Sequence, residues 1–296
     1  MTASTKVFIY NGLGASALSA DDLQALLTSN TIFSSRPDIK LCDFNFNAAG
    51  LSKPLFVVPG GSTSIIGNQL KPKLATIEET LGKHYHYLGI CAGAFIGTHN
   101  ADLFITSHKQ DTNGNQHQPP SFFMTTQEVS AELNLLSDFK AIGSFYPNDS
   151  YLRQPPKKYM SYRVNVNLSE SGEKLAQLYV AGPGFVALNK EGTNQHTEVV
   201  ASYAERDSYT FPYENSKVSV KQFPAIIRQL PTEKQGGVFL SGTHIESCVK
   251  NSAMLGFFKQ ASTDNAALND ADYRALEAEQ DKSRMVVEQW LKGTFR

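Results

Sequence analysis

The 296-residue sequence predicts an α/β fold: a mostly parallel sheet with helices on both faces, antiparallel strand additions and a C-terminal helical extension. Three observations carry that prediction. Short apolar runs alternate with helix-compatible segments through the first third of the chain. Several of these runs end in glycine-containing loops. The middle of the chain then changes to alternating apolar and polar residues, as strands with one solvated face do. Strands separated by helices need right-handed crossovers, which make the sheet parallel and cover both its faces.

Lys6–Tyr10 reads as the first strand and ends at Asn11-Gly12. Ser19-Ala20-Asp21-Asp22 reads as a capping box opening a helix with Leu23, Leu26 and Leu27 on one side. Ile39–Phe44 and Leu55–Val58 read as the next strands. A helix is expected over 72–81, with Leu70, Leu74, Ile77 and Leu81 as its apolar stripe, Pro72 near its start and Gly82 after its end. His86–Ile90 reads as the following strand.

Residues 106–127 read as a long polar loop, and 148–160 as another. Strands are expected at 163–168, 178–180, 185–188 and 197–203, with Gly182-Pro183-Gly184 turning the chain. Gly236–Leu240 reads as a short buried strand. After Glu246 the chain returns to helix, and Tyr273, Leu276, Met285, Val286, Trp290 and Leu291 are the apolar contacts of its charged end. The expected organisation is one domain over 1–260 and a helical extension over 261–296, packed on that domain or mediating a homodimer or a protein partner.

Composition removes several classes. Lys and Arg number 27 against 28 Asp and Glu, so no net field draws nucleic acid or anionic lipid. No apolar run is long enough for a membrane span, and Met1-Thr2-Ala3-Ser4-Thr5 carries no leader pattern; a cytoplasmic location is expected. The three cysteines show no CxxC pairing, which fits reduced thiols. Cys42 and Cys248 read as packing residues. His108 and His117 read as loop histidines rather than a metal pair, since no further ligands sit at metal spacing. Neither a metal nor an organic cofactor is expected.

The densest chemical signal is Tyr87-Leu88-Gly89-Ile90-Cys91-Ala92-Gly93-Ala94-Phe95. An apolar run enters a small-x-Cys-x-small core and a helix-compatible stretch follows, the pattern of a nucleophile elbow. A helix beginning after Cys91 would favour thiolate over thiol. Far downstream, Ser241-Gly242-Thr243-His244-Ile245-Glu246 follows the short buried strand. His244 and Glu246 would share a side if the backbone there is extended. They then suit a triad in which His244 takes the proton from Cys91 and Glu246 orients the imidazole. The alternative is a polar His at a strand end and a carboxylate at a helix start. The Asn11-Gly12 loop, the Pro59-Gly60-Gly61 loop and Cys91 should all fall at the carboxyl ends of parallel strands, where ligands bind. Gly60, Gly61 and the Ala92 N–H are the expected oxyanion donors, although the glycines also fit an ordinary strand-end turn. Asn11 could bind a polar group of the substrate, but Asn before Gly is first a turn signal. Tyr10 reads as packing.

The order of nucleophile, His and then Glu two residues later resembles the class I glutamine amidotransferase-like superfamily. Within it the chain is most similar to the N-terminal domain of eukaryotic-type biotin–protein ligases. The matching pieces are residues 9–14, 57–61, 87–93, 179–185 and 240–246. The resemblance implies a flavodoxin-like sheet and a catalytic Cys91, His244 and Glu246. Two departures qualify it. Glutamine-using relatives carry a Gln where this chain has Phe95, at a substrate-holding position. A Gly-Arg-Gly-Arg-type loop for biotinyl-adenylate is missing, so biotin ligation is not expected. The expected function is a cysteine hydrolase or amidotransferase-like enzyme acting on a small carbonyl or amide compound, with Asn11, Gly12 and Phe95 lining the substrate site. The rivals are a non-catalytic binding or regulatory module, and a redox-sensing thiol protein.

Overall fold

The computed structural model describes residues 4–29, 33, 36–43, 53–81, 85–98, 102–107, 123–128, 133, 135–136, 138–142, 161–180, 182–187, 197–204, 223–265 and 268–295. Strand β1 (Lys6–Tyr10) pairs in parallel with β2 (Asp38–Cys42) on one side and β3 (Leu55–Val58) on the other. Strand β4 (His86–Ile90) joins β3, and β13 (Val238–Ser241) joins β4, both in parallel. The order β2-β1-β3-β4-β13 is that of a flavodoxin-like sheet, as expected. The same sheet continues through antiparallel pairings of β12 (Pro224–Gln229), β11 (Thr197–Tyr203), β8 (Tyr162–Leu168) and β9 (Lys174–Tyr179). A second sheet has the order β10-β7-β5-β6, with β5 at Asp102–Ser107, β6 at Phe123–Glu128, β7 at Phe139–Ile142 and β10 at Gly184–Ala187.

Alternation along the parallel strands divides the core into two layers. Val7, Ile9, Leu55 and Val57 pack with Leu23, Leu26 and Leu27 of α1 (Ala17–Thr28) and with Val287, Trp290 and Leu291 of α7 (Gln280–Thr294). Phe8, Tyr10, Phe56 and Val58 pack on the opposite side, with Ile66 and Leu70 of α2 (Thr63–Leu70) and Ile77 of α3 (Leu74–Leu81). The short α4 (Ala92–Ile96) lies on that second side. Helices α5 (Ala253–Asn265) and α6 (Asp270–Ala278) precede α7. Asn269 and Asp272 cap α6 reciprocally, which fixes where it starts. Trp290 is fully buried, its ring 5.4 Å from that of Phe239 in β13, so α7 packs on the main sheet.

Several boundaries differ from the sequence reading. Helix α1 starts earlier: Ser16 is its N-cap, and the Ser16 hydroxyl accepts from the Ser19 N–H. An antiparallel bridge between Ala15 and Gly61 holds the chain extended up to that point, so Ser19 enters the helix's first turn and turns inward. The helix expected over 72–81 is α3, which starts at Leu74 after a 3₁₀ turn at Lys71–Lys73 that accommodates Pro72; the preceding α2, which holds Leu70 of the expected stripe, was not foreseen. Both ends of the expected polar loop at 106–127 are strand, β5 and β6. His108, His117 and the loop expected at 148–160 lie outside the described residues. Among the described residues, no helix is long and apolar enough to cross a membrane.

Candidate active site

Cys91 sits between the last residue of β4 and the first of α4, at φ 50 and ψ −103. A non-glycine residue there is strained and persists only where its surroundings over-determine it. They do so here. The Cys91 N–H donates to Ser241 O at 2.8 Å, and Cys91 O accepts from Ala94 and Phe95 N–H at 3.0 and 3.2 Å. The glycines of the elbow answer to close approach. A Cβ on Gly93 would stand 2.0 Å from Val58 O, and one on Gly89 would stand 2.5 Å from Gly93 O. A helix does begin after Cys91, as expected, but α4 has only five residues, so its dipole gives the sulfur little support.

His244 follows β13, and its N–H donates to Leu178 O at 2.8 Å. The backbone beyond it is not extended: Ile245–Cys248 forms a 3₁₀ turn, which corrects the expected strand geometry. The turn folds the Glu246 carboxyl back, 2.7 Å from His244 Nδ1. Both side chains are buried, His244 2 % and Glu246 0 % exposed. With Nδ1 taken, Nε2 is the nitrogen left to act on Cys91, whose sulfur is close enough to influence the ring. Burial pushes the imidazole's affinity for a proton down. The charge of Glu246, its bond to Nδ1 and the neighbouring Cys91 sulfur outweigh that and raise its pKa well above the usual histidine range. Cys91 is 6 % exposed, and its thiol donates to Val180 O at 3.3 Å.

The glycine loop at the end of β3 adjoins the imidazole. A Cβ on Gly60 would stand 2.5 Å from His244 Cε1, so only glycine leaves room for the ring. The Gly60 N–H donates to Ser19 Oγ at 3.0 Å, and Gly60 O accepts from Ser16 N–H at 2.8 Å. Gly60 therefore does not offer its N–H to an oxyanion, a correction to the sequence reading. Phe95 is corrected as well: 1 % exposed, it packs in the core with Phe56 and Tyr87 and lines no substrate cleft. Asn11 and Gly12 follow β1, separated from β4 by β3. The Asn11 N–H donates to Cys42 O at 2.7 Å, and Gly12 lies against the Tyr10 ring, where a Cβ would come within 2.6 Å. Tyr10 is 1 % exposed and packs, as expected.

Four contributors escaped sequence reasoning. Ser19 Oγ donates to Glu246 Oε1 at 2.5 Å. Asp22, one turn later, accepts from Ser252 Oγ, Ala253 N–H and Met254 N–H at 2.5, 2.6 and 3.3 Å, anchoring the start of α5. Burial, helped by the charge of Glu246, raises the Asp22 pKa to about 6 against the pull of those bonds. Tyr179 and Tyr203 donate to Gly182 O and Pro183 O at 2.9 and 2.8 Å, fixing the segment beyond Val180. One signal was present: Ser19 and Asp22 share the stripe of Leu23 and Leu26, so two polar residues occupied core positions of an amphipathic helix. Cys248 is buried, which pushes its thiol up and leaves it inert. Among the described residues, no group of three or more His, Cys, Asp or Glu side chains is placed to hold a metal ion.

The biotin-protein ligase N-terminal family model matches residues 5–294, nearly the whole chain, elbow and His-x-Glu included. The chain belongs to that family. No curated protein matches it. Among solved structures, a ThuA-like protein from Bacteroides uniformis ATCC 8492 is similar at 12% identity over 93% of this chain and 97% of that one. Its TM-score of 0.39 is too low to carry an argument. The match to the biotin-protein ligase N-terminal family extends through α5, α6 and α7.

Proposed function

We propose that this member of the biotin-protein ligase N-terminal family is a cysteine-dependent hydrolase or amidotransferase-like enzyme of the class I glutamine amidotransferase-like superfamily, acting on a small carbonyl or amide compound. One observation carries the reading: a strained Cys91 at a strand end beside a buried imidazole that Glu246 holds at 2.7 Å through Nδ1, the two close enough for the sulfur to help raise the imidazole's affinity for a proton.

In the proposed reaction His244 Nε2 holds the proton of the Cys91–His244 pair, and the Cys91 sulfur attacks the carbonyl carbon. The oxyanion that forms is met by the N–H groups of Gly61 and Ala92. His244 returns its proton to the leaving amine or alcohol as the C–N or C–O bond breaks, leaving a thioester on Cys91. Water, or an amine acceptor, then attacks the thioester; His244 takes its proton and gives it back to the departing sulfur. Glu246 keeps the imidazole in the required tautomer. Asn11 and Gly12, at the same end of the sheet, remain the proposed contacts to the substrate's far end.

The test is cysteine-selective. With iodoacetamide as probe and peptide mass spectrometry as readout, Cys91 should react faster than Cys42 and Cys248 at neutral pH. His244→Ala should slow Cys91 alone. Equal behaviour of the three thiols would remove the proposal. Glu246→Gln should cost less than His244→Ala, since orienting the base is a smaller service than carrying the proton; the reverse ranking would contradict these roles. A second reading, a binding or regulatory module, is favoured by Phe95, which fills the core at the position where glutamine-using relatives carry Gln. A stoichiometric partner bound equally by the protein and its Cys91→Ala variant would support it.

A further inference from the structure

Two arms of the site meet at one hydroxyl. Ser19, fully buried in the first turn of α1, donates to Glu246 Oε1 at 2.5 Å and accepts from the Gly60 N–H at 3.0 Å. Glu246 holds Nδ1 of the His244 ring, and Gly60 lies against its Cε1 edge. The imidazole is thus gripped at two adjacent ring atoms by groups that are both tied to Ser19.

Among the described residues, nothing else is placed to replace that tie. Glu246 Oε1 receives both His244 and Ser19, whereas Oε2 is buried without a hydrogen-bond partner. The Ser19 bond is therefore what fixes the rotation of the carboxyl group and decides which oxygen faces the ring. Gly60 is held at both ends of its main chain by the same helix turn, its carbonyl by the Ser16 N–H and its N–H by Ser19. Ser19 neither touches Cys91 by a hydrogen bond nor stands where a substrate would enter; it acts through other groups.

We propose that Ser19 is a positioning residue that sets the orientation of His244 by clamping Glu246 and the Gly60 loop together. The proposal rests on the reading of Cys91 and His244 as nucleophile and base. Without the hydroxyl, the carboxyl loses one of its two donors and the Gly60 N–H loses its buried acceptor, so the ring is free to turn away from the sulfur.

The experiment is the pH profile of Cys91 alkylation by iodoacetamide in the full chain, compared among wild type, Ser19→Ala, Ser19→Thr and His244→Ala. Alanine is a good helix former, so the first variant should keep α1. The bond lost is to a charged carboxylate, so Ser19→Ala should slow alkylation near neutrality by roughly tenfold to a hundredfold. At high pH, where a thiol ionises without help, its rate should equal that of wild type. Ser19→Thr, which restores a hydroxyl, should recover most of the loss. Cys248, buried and inert, should stay unlabelled in every variant.

A Ser19→Ala profile superimposable on wild type overturns the proposal, provided that His244→Ala slows Cys91. If His244→Ala itself changes nothing, the reading of nucleophile and base has failed beneath it. A Ser19→Thr variant as slow as Ser19→Ala, or labelling of Cys248 alongside Cys91, would assign Ser19 to holding the fold and likewise overturn its role at the imidazole.

Discussion

The parallel and antiparallel halves of the large sheet meet at β13 and contribute to the site in different ways. The parallel half delivers side chains and tight loops: Cys91 after β4 and Gly60 after β3. The antiparallel half delivers main chain: Val180 O beside the sulfur, and the Gly182-Pro183 segment held by two tyrosines. Strand direction is the reason. Every carboxyl end of a parallel sheet lies on one edge. Among the antiparallel strands only alternate ones run the same way, so β11 and β9 end on that edge while β12 and β8 start there. Tyr203 closes β11 and Tyr179 closes β9, with their rings 6.0 Å apart and nearly perpendicular. His244 leaves the seam strand, β13, which pairs with both halves. On the proposed reading, the parallel half builds the reactive geometry and the antiparallel half covers it.

Removing chemistry from the parallel half should have the largest effect. Cys91→Ala should abolish turnover and keep the fold, and His244→Ala should lower turnover by at least about a hundredfold, as loss of a general base does. Retained activity in either variant, measured on any substrate found by screening, would break the assignment of chemistry to this half.

Structure should follow. Gly93→Ala places a methyl 2.0 Å from Val58 O, backbone that cannot step aside, and should cost about 3 kcal/mol in urea unfolding. A variant as stable as wild type would show that the elbow is looser than the contact implies.

The third effect depends on pH. Asp22 has its folded pKa raised from 3.8 to about 6, so it binds a proton more tightly in the folded state. Its contribution to stability is therefore complete below the unfolded value and is lost as pH rises through about 6. Asp22→Asn removes that titration. From pH 3 to pH 7 the stability difference should move in the variant's favour by up to about 3 kcal/mol. A difference independent of pH would show that the bonds from Ser252, Ala253 and Met254 already offset the burial.

The smallest effect should come from the covering half. Tyr203 is raised above the ordinary phenol range by burial and then by Cys91, so it stays protonated and keeps donating to Pro183 O. Tyr203→Phe should cost about 1 kcal/mol and let iodoacetamide reach Cys91 faster. Slower labelling would mean that the segment presents the sulfur rather than covers it.

Much of this was legible in the chain itself. The parallel order followed from apolar runs alternating with helices. Cys91, His244 and Glu246 stood out because glycine spacing and a His-x-Glu step are local patterns that local sterics explain. The alternation of Arg163-Val164-Asn165-Val166-Asn167-Leu168 likewise exposed β8. Other features had no local signature. Ser19 read as a cap until the Ala15–Gly61 bridge, formed by residues far apart in sequence, moved the helix start to Ser16. Phe95 occupied a position that the family pattern assigns to substrate, and only packing turned it into the core. Gly60 carried the right residue type for an oxyanion donor, but its N–H belongs to a hydroxyl 41 positions away. The sequence by itself determined that the first strands run parallel between helices, and the residue types at their edge, because these depend on periodicity and backbone sterics over a few residues. Tertiary structure alone decided which hydrogen-bonding group faces which, because a buried donor takes whatever acceptor the fold brings within about 3 Å.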